Sequence, residues 1–467
     1  MFGYASGLGM SILTFDWAQI AYIGSPLATP WWAAANITVG FVIFYWILTP
    51  ILYFKNVWNS QYMPIMSRMS YDNQGNFYDV QRILTPDATL DVDAYKSYSP
   101  LYLPTAFAVS YGLSFASITA TIMHTILYTH KSLISRVKGG IGERPDIHAR
   151  LMANYRQVPD YWYAAIFLSM FAFGVVSVEV WPTQMPVWAL VIALLLALCY
   201  TIPVGIIQAI TNQQIAINVI AELIAGYAVP GRPISMMLFK TYAYIGMTQA
   251  LRFTSDFKLG HYMKIPPRAM FWCQVVATVV AGTVQLAVQS WMFSNIPDMC
   301  AQHQVNGFIC PDSEVFYTAS IVWGVIGPSN QFSRGQTYYR IITFPNHLLR
   351  YINVPLILGG TNLIPPATAA NYVPWALVGF IFQYVVRRRH FSWWAKYNYV
   401  LSAALDSSVA LGSLLIFFCL QFPRNNAIGA NSIQTWWGNN VYKDTADWES
   451  RPIRAVEAGM TFGPKQW

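Results

Sequence analysis

Long stretches of this sequence contain no Asp, Glu, Lys or Arg, among them 17–54, 97–130, 161–178, 180–221, 269–297, 351–386 and 407–423. A helix needs about 20 predominantly apolar residues to cross the hydrocarbon core of a bilayer. Several of the stretches supply one crossing, and the 42 residues from Val180 to Ala221 supply one plus a turn and part of another. Only 10% of the 467 residues are charged and 55% are hydrophobic, whereas a soluble domain carries about 25% charged residues. Such a chain lacks the groups needed to face water over most of its area. Strict period-2 alternation, the mark of a membrane barrel, is absent. These features predict an all-α, polytopic helical membrane protein, read as a single integral membrane domain over 1–467.

About nine spanning helices are expected, near 33–54, 101–128, 162–180, 186–207, 234–252, 269–292, 316–332, 372–386 and 398–422. The tracts 9–31, 211–230 and 351–368 are apolar but interrupted by Pro, Gly, Asn or Gln, and read as re-entrant or broken segments. Irregular backbone at membrane depth persists only where protein or a water cavity covers it. The net charge of +8 resides in short loops between apolar tracts, so it reads as a topology signal and no nucleic-acid partner is expected. Basic loops face the cytoplasm, which puts 129–160, 253–268 and the Arg387, Arg388, Arg389, Lys396 cluster inside. It leaves 181–185, 293–315 and an acidic, turn-rich cap loop at 55–100 outside, with 423–467 as a polar C-terminal tail. The opening MFGYASGLGM has no basic region ahead of an apolar core, so no cleavable signal peptide is expected.

The densest polar constellation lies in ITNQQIAINVIAELIAGYAVPGRPISMMLFK, 210–240, where Asn212, Gln213, Gln214, Asn218 and Glu222 stand in apolar company. If the tract is helical, Gln214, Asn218 and Glu222 fall at i, i+4 and i+8 on one face that would line a cavity. A carboxylate inside a membrane is costly to leave ionised, which makes Glu222 the leading candidate for a proton carrier. The alternative is structural: the amides as interhelical glue, with Glu222 in a fixed hydrogen bond. Asp406 lies some eight residues into the last expected span and reads either as part of a proton pathway or as a partner of a neighbouring helix; Asp16 shares the ambiguity. Glu179, at a helix end, reads as solvated. In FTSDFKLGHYMKIPPR, Asp256 and His261 offer a proton exit or merely pair with nearby lysines, while Pro266-Pro267 set a rigid helix start.

Cys300 and Cys310 bracket a polar loop without Lys or Arg, a spacing that fits an outward-facing disulfide or two unpaired loop thiols. The seven histidines show no metal-ligand spacing, and neither a phosphate-binding loop nor a nucleophile elbow is present, so no catalytic residue, metal or cofactor is expected.

The motifs TFDWAQI, SPLATPWW, EVWPTQMPVWAL, ITNQQIAINVI, GYAVPGRP, FKLGHYMKIPPR, IPPATAANYVPW and KYNYVLSAALDSSVALG, spread over nearly the whole chain, resemble the fungal branch of the oligopeptide transporter family. The resemblance implies a secondary active transporter in the plasma membrane that imports short peptides, tetra- and pentapeptides or glutathione-like ones, together with protons. It also implies further helices ahead of this segment, which would correspond to the C-terminal portion of such a protein. One more helix is implied between Arg340 and Phe344, where this chain has almost no intervening residues. A truncated, transport-inactive member is the alternative reading, and a membrane-embedded enzyme a more distant one.

Overall fold

The computed structural model describes the chain except for residues 1–2, 11–12, 139–146, 302–308, 334, 340–353, 424–426, 431–435, 458 and 465–467. The helix implied between Arg340 and Phe344 therefore lies outside the described residues. Ten helices carry the architecture: α1 (Trp31–Phe54), α2 (Thr105–Lys138), α3 (Asp160–Val180), α4 (Val187–Thr211), α5 (Asn218–Ala228), α6 (233–263), α7 (Pro267–Asn295), α8 (311–326), α9 (Ala369–Arg389) and α10 (Phe391–Leu420). Short helices and 3-10 turns join them, and among the described residues extended pairing is limited to isolated β-bridges.

Seven of these, α1 to α4, α7, α9 and α10, are long and apolar enough to cross a membrane, counted among the described residues. Two of the nine expected spans are helical but take other forms. The tract 234–252 sits inside the longer α6, which carries Lys240, Arg252, Asp256 and Lys258. The tract 316–332 divides at Gly327, whose φ of 81° is left-handed, before a short helix Pro328–Phe332. Proline marks several starts, as its fixed φ and missing N–H suit a first helical turn: Pro267 opens α7 and Pro311 opens α8. Widened π turns interrupt α1 at Val42–Leu48, α6 at Thr241–Ile245 and α9 at Phe380–Val386.

The described contacts group into two compact units, a division that no linker in the sequence announces. The first comprises 1–122, 206–220 and 325–467; the second comprises 123–205 and 221–324.

In the first unit the core is aromatic and fully enclosed. Phe41 of α1 stacks on Tyr372 of α9 at 4.8 Å, and Tyr45 and Trp375 are buried beside them. The broken tract expected at 351–368 is described from Val354: a single turn Val354–Leu358, a 3-10 turn Gly359–Thr361, and then the Pro365-Pro366 pair before α9. It crosses α1 backbone to backbone. A methyl group on Gly40 would overlap the Ile357 carbonyl, and one on Gly360 would lie 2.7 Å from the Ile37 carbonyl oxygen and 2.8 Å from the Phe41 nitrogen. Ser110 and Ser117 of α2 donate to the carbonyls of Thr361 (2.9 Å) and Pro355 (3.3 Å), so the irregular backbone is satisfied by protein, as burial requires. The tract 9–31 is likewise broken, and Asp16 is explained by it. Its Oδ1 caps the short helix Trp17–Ile20 through the Ala18 N–H at 3.0 Å.

Residues 55–100 fold into a small cap of short helical turns around buried Tyr71, Tyr78 and Tyr95. The polar tail is part of it. Phe462 is buried against Tyr62 (4.6 Å, stacked) and Tyr102 (4.8 Å), its N–H donates to the Asn73 carbonyl, and the Arg454 N–H donates to Gln61. The Asp447 carboxylate takes hydrogen bonds from the Ala5 and Ser6 nitrogens at 2.8 and 2.9 Å.

In the second unit, α3 and α7 bury few of their residues and leave most of their apolar side chains exposed, with Leu286 68% and Val279 64% accessible. Apolar helix surface that protein leaves uncovered is suited to lipid. Cys300 and Cys310 are disulfide-bonded, their Cα atoms 4.9 Å apart. The Lys258–Arg268 border has a structural use. Lys264 takes a left-handed conformation that ends α6, and its Nζ meets His148 Nδ1 and the His261 carbonyl. Arg268 donates to the Gln157 carbonyl at 3.0 Å and lies over the Trp162 ring.

Candidate functional site

The polar constellation at 210–240 is divided between two settings, one in each unit. In the first unit α4 ends at Thr211, whose hydroxyl accepts from the Gln213 N–H at 3.1 Å and so draws the chain out of the helix. Asn212 follows with φ 56°, a left-handed conformation that Asn tolerates better than most side chains. Residues 213–217 are non-helical and α5 starts at Asn218. The expected i, i+4, i+8 stripe is thereby corrected. Asn218 and Glu222 share a helix, but Gln214 precedes it on irregular backbone, because the turn at 211–213 interrupts the helical repeat.

The break is anchored by Thr29, which is completely buried. Asn212 Nδ2 and Gln213 Nε2 each donate to Thr29 Oγ1 at 3.3 Å. A cavity of about 30 Å³ opens beside the break, lined by Ile23, Ile37, Gln213, Gln214, Asn362 and Tyr372. That volume holds a water molecule or two. Its polar lining consists mainly of side-chain amides, which donate and accept without carrying charge.

In the second unit Glu222 is 1% and Lys240 8% exposed, and Lys240 Nζ lies 2.6 Å from Glu222 Oε1. The ammonium also sits 4.9 Å from the centre of the Phe316 ring of α8. Glu222 Oε2 has no hydrogen-bond partner among the described residues. An ion pair taken out of water is compensated only by good geometry, and removing one member leaves an uncompensated charge. Glu222 stands out in the sequence, whereas Lys240 carries only the weak signal of a lone cation in an otherwise apolar run.

The family model described as OPT oligopeptide transporter protein matches residues 1–420. The chain belongs to the oligopeptide transporter family. Its relatives include glutathione transporter 1 of Schizosaccharomyces pombe, 43% identical over 485 residues that take in all of this chain and 56% of the relative. Oligopeptide transporter 1 of Arabidopsis thaliana is 43% identical over 463 residues, 92% of this chain and 60% of that protein. Oligopeptide transporter 1 of Saccharomyces cerevisiae is 37% identical over 489 residues, all of this chain and 60% of that protein. The chain thus spans less than two thirds of the length of these relatives. No solved structure matches it.

The remaining candidates in this oligopeptide transporter family member have other partners. Asp406 on α10 accepts from Trp17 Nε1 at 2.7 Å, the neighbour-pairing alternative. His261 is half-buried at the end of α6, 6.5 Å from the His148 ring. Asp256 accepts from Gln274 Nε2 at 3.0 Å, tying α6 to α7. Among the described residues no group of three His, Cys, Asp or Glu is placed to hold a metal.

Proposed function

We propose that the chain serves proton-coupled import of short peptides across the plasma membrane, with Glu222 as the proton carrier and the amides beside the break as the peptide-binding surface. The observation that carries this reading is the buried Lys240–Glu222 pair. A proton arriving at Glu222 removes the counter-charge of Lys240 and strands an ammonium in an apolar setting. Such a state is costly, so a proton held at Glu222 drives the protein towards an arrangement that gives Lys240 water or another anion. A change of state driven by proton loading is what symport requires. Gln213, Gln214 and Asn362 supply neutral donors and acceptors that suit peptide backbone whatever its side chains. The cavity beside them is too small for a peptide, so binding requires its lining to part. The names of the relatives, which include a glutathione transporter and oligopeptide transporters, support the same substrate class.

The test is uptake of a labelled tetrapeptide by cells or proteoliposomes under an imposed pH gradient, with Glu222→Gln alongside. The expected outcome is gradient-driven uptake by the wild type, and loss of the gradient dependence in the variant. Uptake indifferent to the gradient would reject proton coupling, and a fully active Glu222→Gln would remove that residue from the mechanism.

A further inference from the structure

We propose that Thr29 is a positioning residue for peptide recognition, which fixes the end of the Gln213 amide that is left for substrate. This deepens the peptide-binding role given to that amide above. A threonine hydroxyl has one proton and two lone pairs. The Thr29 proton is committed to the Ser25 carbonyl oxygen at 3.0 Å. The oxygen can then only accept, and it does so from Asn212 Nδ2 and Gln213 Nε2. All three positions are occupied, so turning either amide over would set a carbonyl oxygen against a lone pair.

Gln213 lines the cavity, and with Nε2 held at Thr29 its Oε1 is the end left to serve as an acceptor. Gly24 makes room for this arrangement. Its φ of 110° is left-handed, a methyl group there would touch Gln213 Nε2 at 3.4 Å, and its carbonyl is fixed by Trp375 Nε1 at 3.0 Å. Asn362, in the same lining, accepts from Ser114 Oγ on its Oδ1 at 3.5 Å, which leaves its Nδ2 as a donor. One acceptor and one donor on the same cavity match the N–H and C=O of a peptide unit. The ligand class is therefore an extended peptide read by its backbone, with Gln213 Oε1 receiving a peptide-bond N–H.

The experiment compares uptake of a tetrapeptide with that of the same tetrapeptide methylated on its peptide nitrogens, in wild type, Thr29→Val, Thr29→Ser and Gln213→Ala, each corrected for surface abundance. Loss of one neutral hydrogen bond predicts that Thr29→Val raises KM about fivefold for the unmethylated peptide with little change in maximal rate. Thr29→Ser should restore the wild-type KM. For the methylated peptide, Thr29→Val and wild type should not differ, and in a Gln213→Ala background Thr29→Val should add nothing. An unchanged KM in Thr29→Val overturns the proposal, as does an equal rise for both peptides. If Thr29→Val does not reach the surface, Thr29→Cys, a weak donor and acceptor of similar size, must show the same discrimination between the peptides. Absence of uptake by the wild type itself would instead refute the transport reading.

Discussion

The break after Thr211 and the Lys240–Glu222 pair solve one problem with opposite materials. At the break, polar atoms are neutral amides steered by a hydroxyl and by irregular backbone; at the pair, they are full charges held by each other. Neutral dipoles can be exposed to a cavity and covered again at small cost. Breaking a buried charge pair costs about 3–5 kcal/mol unless water or another ion replaces the partner. The proposed division of labour, peptide backbone at the first setting and ion coupling at the second, follows this contrast.

The sharpest way to break this contrast is to remove one charge. Lys240→Ala leaves a buried carboxylate without its partner and should destabilise the protein by about 3–5 kcal/mol, whereas Gln213→Ala, which loses one neutral hydrogen bond, should cost about 1 kcal/mol. Thermal unfolding of the purified proteins in detergent measures both. Lys240→Met combined with Glu222→Gln should recover most of the loss, and equal costs for the two single variants would erase the distinction.

A smaller effect tests whether the amide region depends on its backbone support. Gly360→Ala forces a methyl group between the broken tract and α1, and overpacking of this kind costs about 1–3 kcal/mol. The variant should lower the melting temperature and raise KM while leaving the pH dependence of uptake unchanged. A shifted pH dependence would mean that the two settings are not separable in function.

The smallest effect concerns pH itself. The cap of the first unit is held by buried tyrosines, and burial pushes the Tyr71 and Tyr102 hydroxyls up to about 12 from their ordinary value of 10.0. A raised folded value means that the native cap retains protons which the unfolded cap has released. Its stabilising contribution is complete below pH 10 and is lost as pH climbs from 10 towards 12. Hydrogen exchange of cap amides should stay protected to about pH 10 after correction for the intrinsic rate, then weaken. Loss of protection near pH 7 would contradict a cap held by neutral groups.

Much of this was legible in the sequence because charge-free length is a property of composition, and α1, α3, α4 and α7 lie close to where it places them. Broken backbone was equally visible, since Pro, Gly and Asn announce it in 211–230 and 351–368. Pairing was not. Glu222 and Lys240 are separated by a helix end, the turn at Gly231 and a new helix start, and no periodicity spans such a corner. The stripe through Gln214 failed for a related reason, because a Thr hydroxyl that ends a helix looks in sequence like any other threonine. Thr29 gave no signal at all, as its role depends on residues more than 180 positions away. The packing of Phe462 into the cap was hidden behind the polar composition of the tail.

That last contact also fixes orientation. Because Arg454 and Phe462 pack directly against the cap, the tail and the cap must face the same compartment. Trp436 and Trp437, 62% and 72% exposed, lie along the tail. An antibody raised against that stretch would thus report, on intact cells, which way the whole first unit is inserted.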